Sequence, residues 1–172
     1  AGTVQSVTYT NTRVVPSTPG ILQQNKIINS SVDEGTITAY NMLRTQVLQR
    51  LKEHDWNSLA IISANHGEGR TLTAINLAIS MAREVDKTVL LVDLDLRRPS
   101  VANYFGFTPE YGVADFLLND IPLQQMLFNP GIERLVVLPG NSAVTNSAEL
   151  LASEKMVQLV EELKQRYPSR IV

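Results

Sequence analysis

Two short stretches hold residue types whose spacing suits phosphate chemistry. The first is Ala64-Asn65-His66-Gly67-Glu68-Gly69-Arg70-Thr71. A loop that cradles phosphate must aim backbone N–H groups at an anion, which takes dihedrals that glycine adopts freely. It should end on a helix N-terminus, whose partial positive charge faces the anion. It also needs a cation for the β- and γ-phosphates and a hydroxyl for magnesium. Gly67, Gly69, Arg70 and Thr71 stand where those needs fall. The strict pattern G-x-x-x-x-G-K-[ST] is not met, because Ala64 holds the first glycine position and Arg70 the lysine position. Arginine keeps the charge as a planar fork, whereas lysine is a compact point charge. Binding is therefore expected to survive this exchange better than catalysis. The plain alternative is a glycine-rich turn with no ligand.

The second stretch is Asp93-Leu94-Asp95-Leu96-Arg97-Arg98-Pro99. Two carboxylates two residues apart, just past a buried strand, project to the same side. In open α/β sheets ligands bind at that edge. Magnesium takes hard oxygen ligands and keeps several waters, so one or two carboxylates suffice. The plain alternative here is a solvated loop whose Asp and Arg residues pair with each other.

The elements that would position these residues are legible as periodicities. Ser58–Ser63 reads as a short buried strand leading into the glycine loop, and Thr71–Val85 as the helix leaving it, with Ile75, Ala78, Ile79 and Ala82 on one stripe. Thr88–Val92 is a continuous apolar run, as expected of a strand covered on both faces. Strand, helix and strand make a right-handed βαβ unit. Ahead of it, Ile37, Tyr40, Leu43, Val47, Leu48 and Leu51 give a helix one apolar face. Short helices are expected over 100–105, 113–118 and 123–127, a strand at Leu135–Leu138, and a last helix capped by Ser153 and ended by Pro168. Arg170–Val172 reads as the opening of a further core strand. Residues 1–35, with Pro16 and Pro19-Gly20, read as an extended or flexible arm, and 36–172 as the folded domain.

Composition narrows the function classes. A chain of 172 residues that is 44% apolar can build one core. A formal charge of −2 gives no basic surface for nucleic acid, and no apolar stretch is long enough to enter a membrane. With no cysteine, disulfides and thiolate-bound metals are excluded, which fits a reducing cytosol.

The two motifs together resemble the bacterial tyrosine kinases of capsule and exopolysaccharide synthesis, relatives of the deviant P-loop partitioning ATPases. The family's loop P-G-E-G-K-[ST] is similar to His66–Thr71, and its D-x-D-x-R-x-P to Asp93–Pro99. Asn76-Leu77-Ala78, Leu138-Pro139-Gly140, Asn146–Leu151 and Tyr40–Thr45 also match. The resemblance runs from about Thr36 to the end of the chain.

The resemblance implies a three-layer α/β P-loop NTPase fold with a mostly parallel sheet, using ATP or ADP with Mg2+. His66, Gly67, Glu68, Gly69, Arg70, Thr71 and Leu72 would contact the nucleotide. Thr71 would ligate the metal and Asp93 would hold its water shell. Asp95 would orient or deprotonate the attacking hydroxyl, with Arg70 as the catalytic cation. A transmembrane polysaccharide co-polymerase or activator would be the partner, placing the domain at the cytoplasmic face of the bacterial membrane, and a homo-oligomer is open. Thr38 and Asn41 stand where the family's oligomerisation helix usually carries Glu and Arg, and only Arg44 remains. The family's second acidic strand is expected just past Val172, so these residues read as most of a domain, marginally stable and inactive alone. Two other functions stay open: a partitioning-type ATPase that phosphorylates nothing, and a regulatory module that binds nucleotide without turning it over.

Overall fold

The structure is a computed structural model, describing residues 12–29, 32–84, 87–165 and 170–172. Its centre is β2 (Thr88–Val92), paired in parallel with β4 (Leu135–Leu138) on one side and β5 (Arg170–Ile171) on the other. Beyond β4 lie β3 (Phe128–Asn129), which is antiparallel to it, and β1 (Arg13–Val14), which is parallel to β3. The order is β1-β3-β4-β2-β5.

The alternation of side chains along β2 and β4 builds three layers. Val89, Leu91, Leu135 and Val137 face a cluster with Ile75, Ala78 and Ile79 of α3 (Arg70–Ala82). Leu90, Val92, Val136 and Leu138 face the opposite cluster, with Leu117 of α5 (Val113–Asn119) and Leu159 and Leu163 of α7 (Glu154–Gln165). Both faces are covered, which is why these strands carry no polar alternation. The helix α2 (Glu34–Glu53) lies on the α3 side with Ile37, Tyr40, Leu43 and Val47 inward. Asp33 caps it, accepting from the Thr36 N–H at 2.8 Å. Two of the shorter helices, α4 (Val101–Tyr104) and α6 (Ser147–Leu151), flank the loops at the C-terminal ends of β2 and β4.

The leading segment is tied to this core. Pro19 opens α1 (Pro19–Gln24), where a missing N–H costs nothing, so the prolines bar a long helix and permit a short one. Ile27 and Ile28 are buried in the α3-side cluster. Asn76 of α3, itself buried, accepts from the Ile28 N–H at 2.9 Å and donates to the Lys26 carbonyl at 3.1 Å. These bonds hold a turn in which Lys26 has φ 57°.

One expected element differs. Residues 58–63 form no strand of the sheet. Their backbone pairing is confined to the start, where the Val172 N–H donates to the Asn57 carbonyl (2.9 Å) and the Leu59 N–H to the Val172 carbonyl (2.8 Å). A strand exists by its ladder, and past Leu59 no further ladder bond reaches this segment among the described residues. A cavity of about 780 Å3 follows, walled by Ala60–Ile62 on one side and Leu90–Val92 on the other, with α3 below and α7 above. Ile62 is 86% exposed. The expected end of α7 at Pro168 lies outside the described residues. Among the described residues, no helix is long and apolar enough to cross a membrane.

Candidate functional site: a phosphate loop joined to an acidic segment

The loop 64–69 leads directly into α3. Gly67 (φ 84°) and Gly69 (φ 82°) both take the left-handed conformation that the phosphate-loop reading requires of them. A side chain at either would meet no neighbour, so it is backbone geometry that selects glycine here. The loop braces itself through Ser63 Oγ, which donates to the Asn65 carbonyl (3.0 Å), and Asn65 Nδ2, which donates to Glu68 (2.9 Å). The Asn65 bond holds the Glu68 carboxyl below the usual carboxylate range. His66 and Glu68 are exposed on the rim. Gly69 caps α3 without a side-chain bond, and the first helical hydrogen bond belongs to the Thr73 N–H. The N–H groups of Arg70, Thr71 and Leu72 therefore open the helix without intrahelical partners, as an anion site needs. The Leu72 side chain packs into the core, leaving only its backbone for a ligand.

The acidic segment sits beside that helix start. The Asp93 N–H extends the β2–β4 ladder to the Leu138 carbonyl at 3.0 Å, which fixes where the segment begins. Asp93 is 5% exposed, and its carboxylate accepts three backbone N–H groups. Oδ1 takes that of Asp95 (3.2 Å), and Oδ2 takes those of Ser100 (2.8 Å) and Val101 (3.0 Å). Burial pushes the Asp93 carboxyl up, and the three N–H groups pull against it. Farther along, Asp95 Oδ1 accepts the Arg98 N–H at 3.0 Å, and Oδ2 pairs with the Arg70 guanidinium. Thr71 Oγ1 lies 3.2 Å from Ser100 Oγ. The Pro139-Gly140 turn seats this loop, since a Cβ at position 140 would collide with Pro99.

The structure thus brings Arg70, Thr71, Asp93 and Asp95 together, with Gly67, Gly69 and the Leu72 N–H on the loop itself. His66 and Glu68 stay at the rim. The donor set fits magnesium: a hydroxyl and carboxylate oxygens, with no cluster of three or more His, Asp or Glu able to cage a metal among the described residues. An ion held that way needs phosphate oxygens to complete its shell. Ser100 was not singled out from sequence, because a serine after an Arg-Arg-Pro run carries no pattern of its own.

On α2, Asn41 and Arg44 turn toward α3. Asn41 Oδ1 accepts from Ser80 Oγ (2.9 Å), and Arg44 reaches the Ser80 carbonyl (3.1 Å) and Glu84 (3.2 Å).

Comparisons with known proteins place the family and the fold. The AAA domain family matches residues 57–168. The tyrosine-protein kinase YwqD of Bacillus subtilis is 33% identical over 141 residues, covering 82% of this chain and 59% of its own length. The tyrosine-protein kinase etk of Escherichia coli K12 is 30% identical over 139 residues, 81% of this chain and 19% of its own. The solved kinase domain of the Escherichia coli tyrosine kinase ETK superposes with a TM-score of 0.72 at 26% identity, covering 93% of this chain and 66% of that one. The septum site-determining protein MinD of Pyrococcus horikoshii, solved with Mg-ADP, has a TM-score of 0.55 at 23% identity, a likeness of fold alone. The chain spans about three-fifths of the Bacillus relative's length. Its homologues are bacterial tyrosine kinases, its fold is the mostly parallel α/β sheet of P-loop kinase domains, and the chain belongs to the AAA domain family.

Proposed function

We propose that the chain is the ATP-binding domain of a protein-tyrosine kinase-like regulator of capsule or exopolysaccharide synthesis, transferring phosphoryl groups from Mg-ATP. The observation that carries this reading is the meeting of the two motifs: Arg70 at the start of α3 pairs with Asp95 past the end of β2. The similarity to tyrosine kinases supports the choice of reaction.

The roles follow from the contacts. The N–H groups between Gly67 and Leu72, with His66 and Glu68 at the rim, would bind the phosphates. Thr71 would give magnesium a hydroxyl oxygen, and the ion, when bound, would neutralise phosphate charge. Asp93 has about four acceptor sites, as any carboxylate does, of which three are taken, so one remains on Oδ1 for a metal-bound water. Arg70 pairs with Asp95. A phosphate in the loop competes for the guanidinium and frees the Asp95 carboxylate to orient the attacking hydroxyl and take its proton. Positioning and charge neutralisation are most of what in-line phosphoryl transfer asks of a protein.

The proposed partner is a transmembrane polysaccharide co-polymerase or activator, which would hold the domain at the inner face of the membrane. Incubation with Mg-ATP and that partner, followed by detection of phosphotyrosine, tests the reading. Phosphotyrosine that disappears in Asp95→Asn supports it. ATP hydrolysis with no phosphotyrosine would assign the chain to the partitioning-type ATPases instead.

A further inference from the structure

We propose that Ser100 is a positioning residue for the Thr71 hydroxyl, and that Asp93 sets it in place. The inference rests on the reading of the site as one for a magnesium nucleotide. A hydroxyl has one proton and two lone pairs. If Thr71 Oγ1 gives a lone pair to a metal ion, its proton must point elsewhere, to an acceptor that fixes the rotor. Ser100 Oγ, 3.2 Å away, is that acceptor.

Two observations indicate that Ser100 is held for this contact. Ser100 occupies the N-cap position of α4, yet its side chain makes no capping bond. Asp93 does the capping instead, taking the Val101 N–H at 3.0 Å. The serine hydroxyl is thereby released from the usual work of its position. Meanwhile the Ser100 N–H is bound to the same Asp93 oxygen at 2.8 Å, so the serine cannot drift from α3 without breaking a bond to a buried carboxylate. The chain of contacts runs from Asp93 through the Ser100 backbone to the Ser100 hydroxyl and then to Thr71. The other Asp93 oxygen holds the Asp95 N–H, so one buried carboxylate aligns both the hydroxyl arm and the carboxylate arm of the site.

Outer-shell partners of a metal ligand typically change metal affinity by about 10–100-fold when removed. The test is calorimetric titration of ADP at graded magnesium concentrations and in EDTA, with the wild type, Ser100→Ala and Ser100→Thr. Ser100→Ala is expected to raise the half-saturating magnesium concentration about tenfold. Its ADP affinity in EDTA should match the wild type, which a merely structural defect would not allow. Ser100→Thr keeps the hydroxyl and should lie close to the wild type. An unchanged magnesium requirement in Ser100→Ala would overturn the inference, as would equal weakening with and without magnesium. Magnesium-dependent ADP binding by the wild type leaves the underlying reading standing in either case. Its absence would overturn that reading, and this inference with it.

Discussion

The Arg70 guanidinium and the Asp95 carboxylate, 25 positions apart in sequence, form an ion pair across the mouth of the phosphate loop. Both side chains are about two-thirds buried, so the pair is only partly screened by water. A lysine at position 70 would reach the same region as a point charge without the planar fork. Arg70→Lys should loosen the hold on Asp95 and raise turnover several-fold, while nucleotide affinity changes by less than about threefold, since the charge is kept. Steady-state ATP turnover beside calorimetric binding measures both. Lower turnover with tighter binding would mean that the arginine is already fitted to its task.

Asp93 and Asp95 should separate in their effects. Asp95→Asn is expected to remove most turnover with little loss of binding or stability. Asp93→Asn places an amide among three N–H donors and should cost about 1–3 kcal/mol of stability. Asp93 also gives a pH signature. Burial raises its folded-state pKa above the ordinary 3.8, so the native state holds that proton more tightly than the unfolded chain does. Its contribution to stability therefore falls as pH rises from about 3.8 through the raised value. Urea denaturation between pH 3.5 and about 7 should show the gap between wild type and Asp93→Asn narrowing with rising pH. A gap that widens would reverse the assignment.

Asn76 clamps the turn at Lys26–Ile28 with both ends of its amide. Asn76→Ala leaves the Ile28 N–H and the Lys26 carbonyl unpaired beside the core and should cost about 2–3 kcal/mol. The midpoint of denaturant unfolding reads it directly. A loss under about 0.5 kcal/mol, the range of an ordinary surface change, would show that the leading segment is not held through this residue.

The cavity between Ala60–Ile62 and β2 makes a pair of apolar residues unequal. Leu90 is 1% exposed, and Leu90→Ala should cost about 2–5 kcal/mol. Ile62 is 86% exposed, and Ile62→Thr should change stability by less than about 0.5 kcal/mol while lowering the tendency to associate. A large loss for Ile62→Thr would mean that the segment is covered in solution.

The sequence made the middle of the fold plain because the signals there are strong. Thr88–Val92 and Leu135–Leu138 are unbroken apolar runs buried on both faces, and both are strands as expected. The glycine loop showed itself by the two residues that need positive φ, and the acidic segment by its place just past β2. Other features had no local signal. β1 and β3 are two residues each, and β1 joins the sheet by pairing with β3 across more than a hundred positions, while β3 is held on its other side by β4. The segment 58–63 has strand composition, but a ladder needs a neighbour, and composition cannot show that the backbone bonds of this segment are confined to Asn57 and Leu59 among the described residues. The role of Asp93 was hidden for a similar reason. Its three N–H partners lie up to eight residues away, and only the folded loop brings them to its carboxylate.

Titration of the protein with ADP in the presence and absence of magnesium decides whether the loop 64–71 is a nucleotide site. Saturable binding tighter than about 1 mM, or about −4 kcal/mol, strengthened by magnesium, is the expected result. Thr71→Ala should abolish the magnesium effect while leaving the metal-free affinity nearly unchanged, because the N–H groups of the loop remain. No saturable binding below about millimolar concentration, or binding indifferent to magnesium, would contradict the assignment of this loop as a nucleotide site.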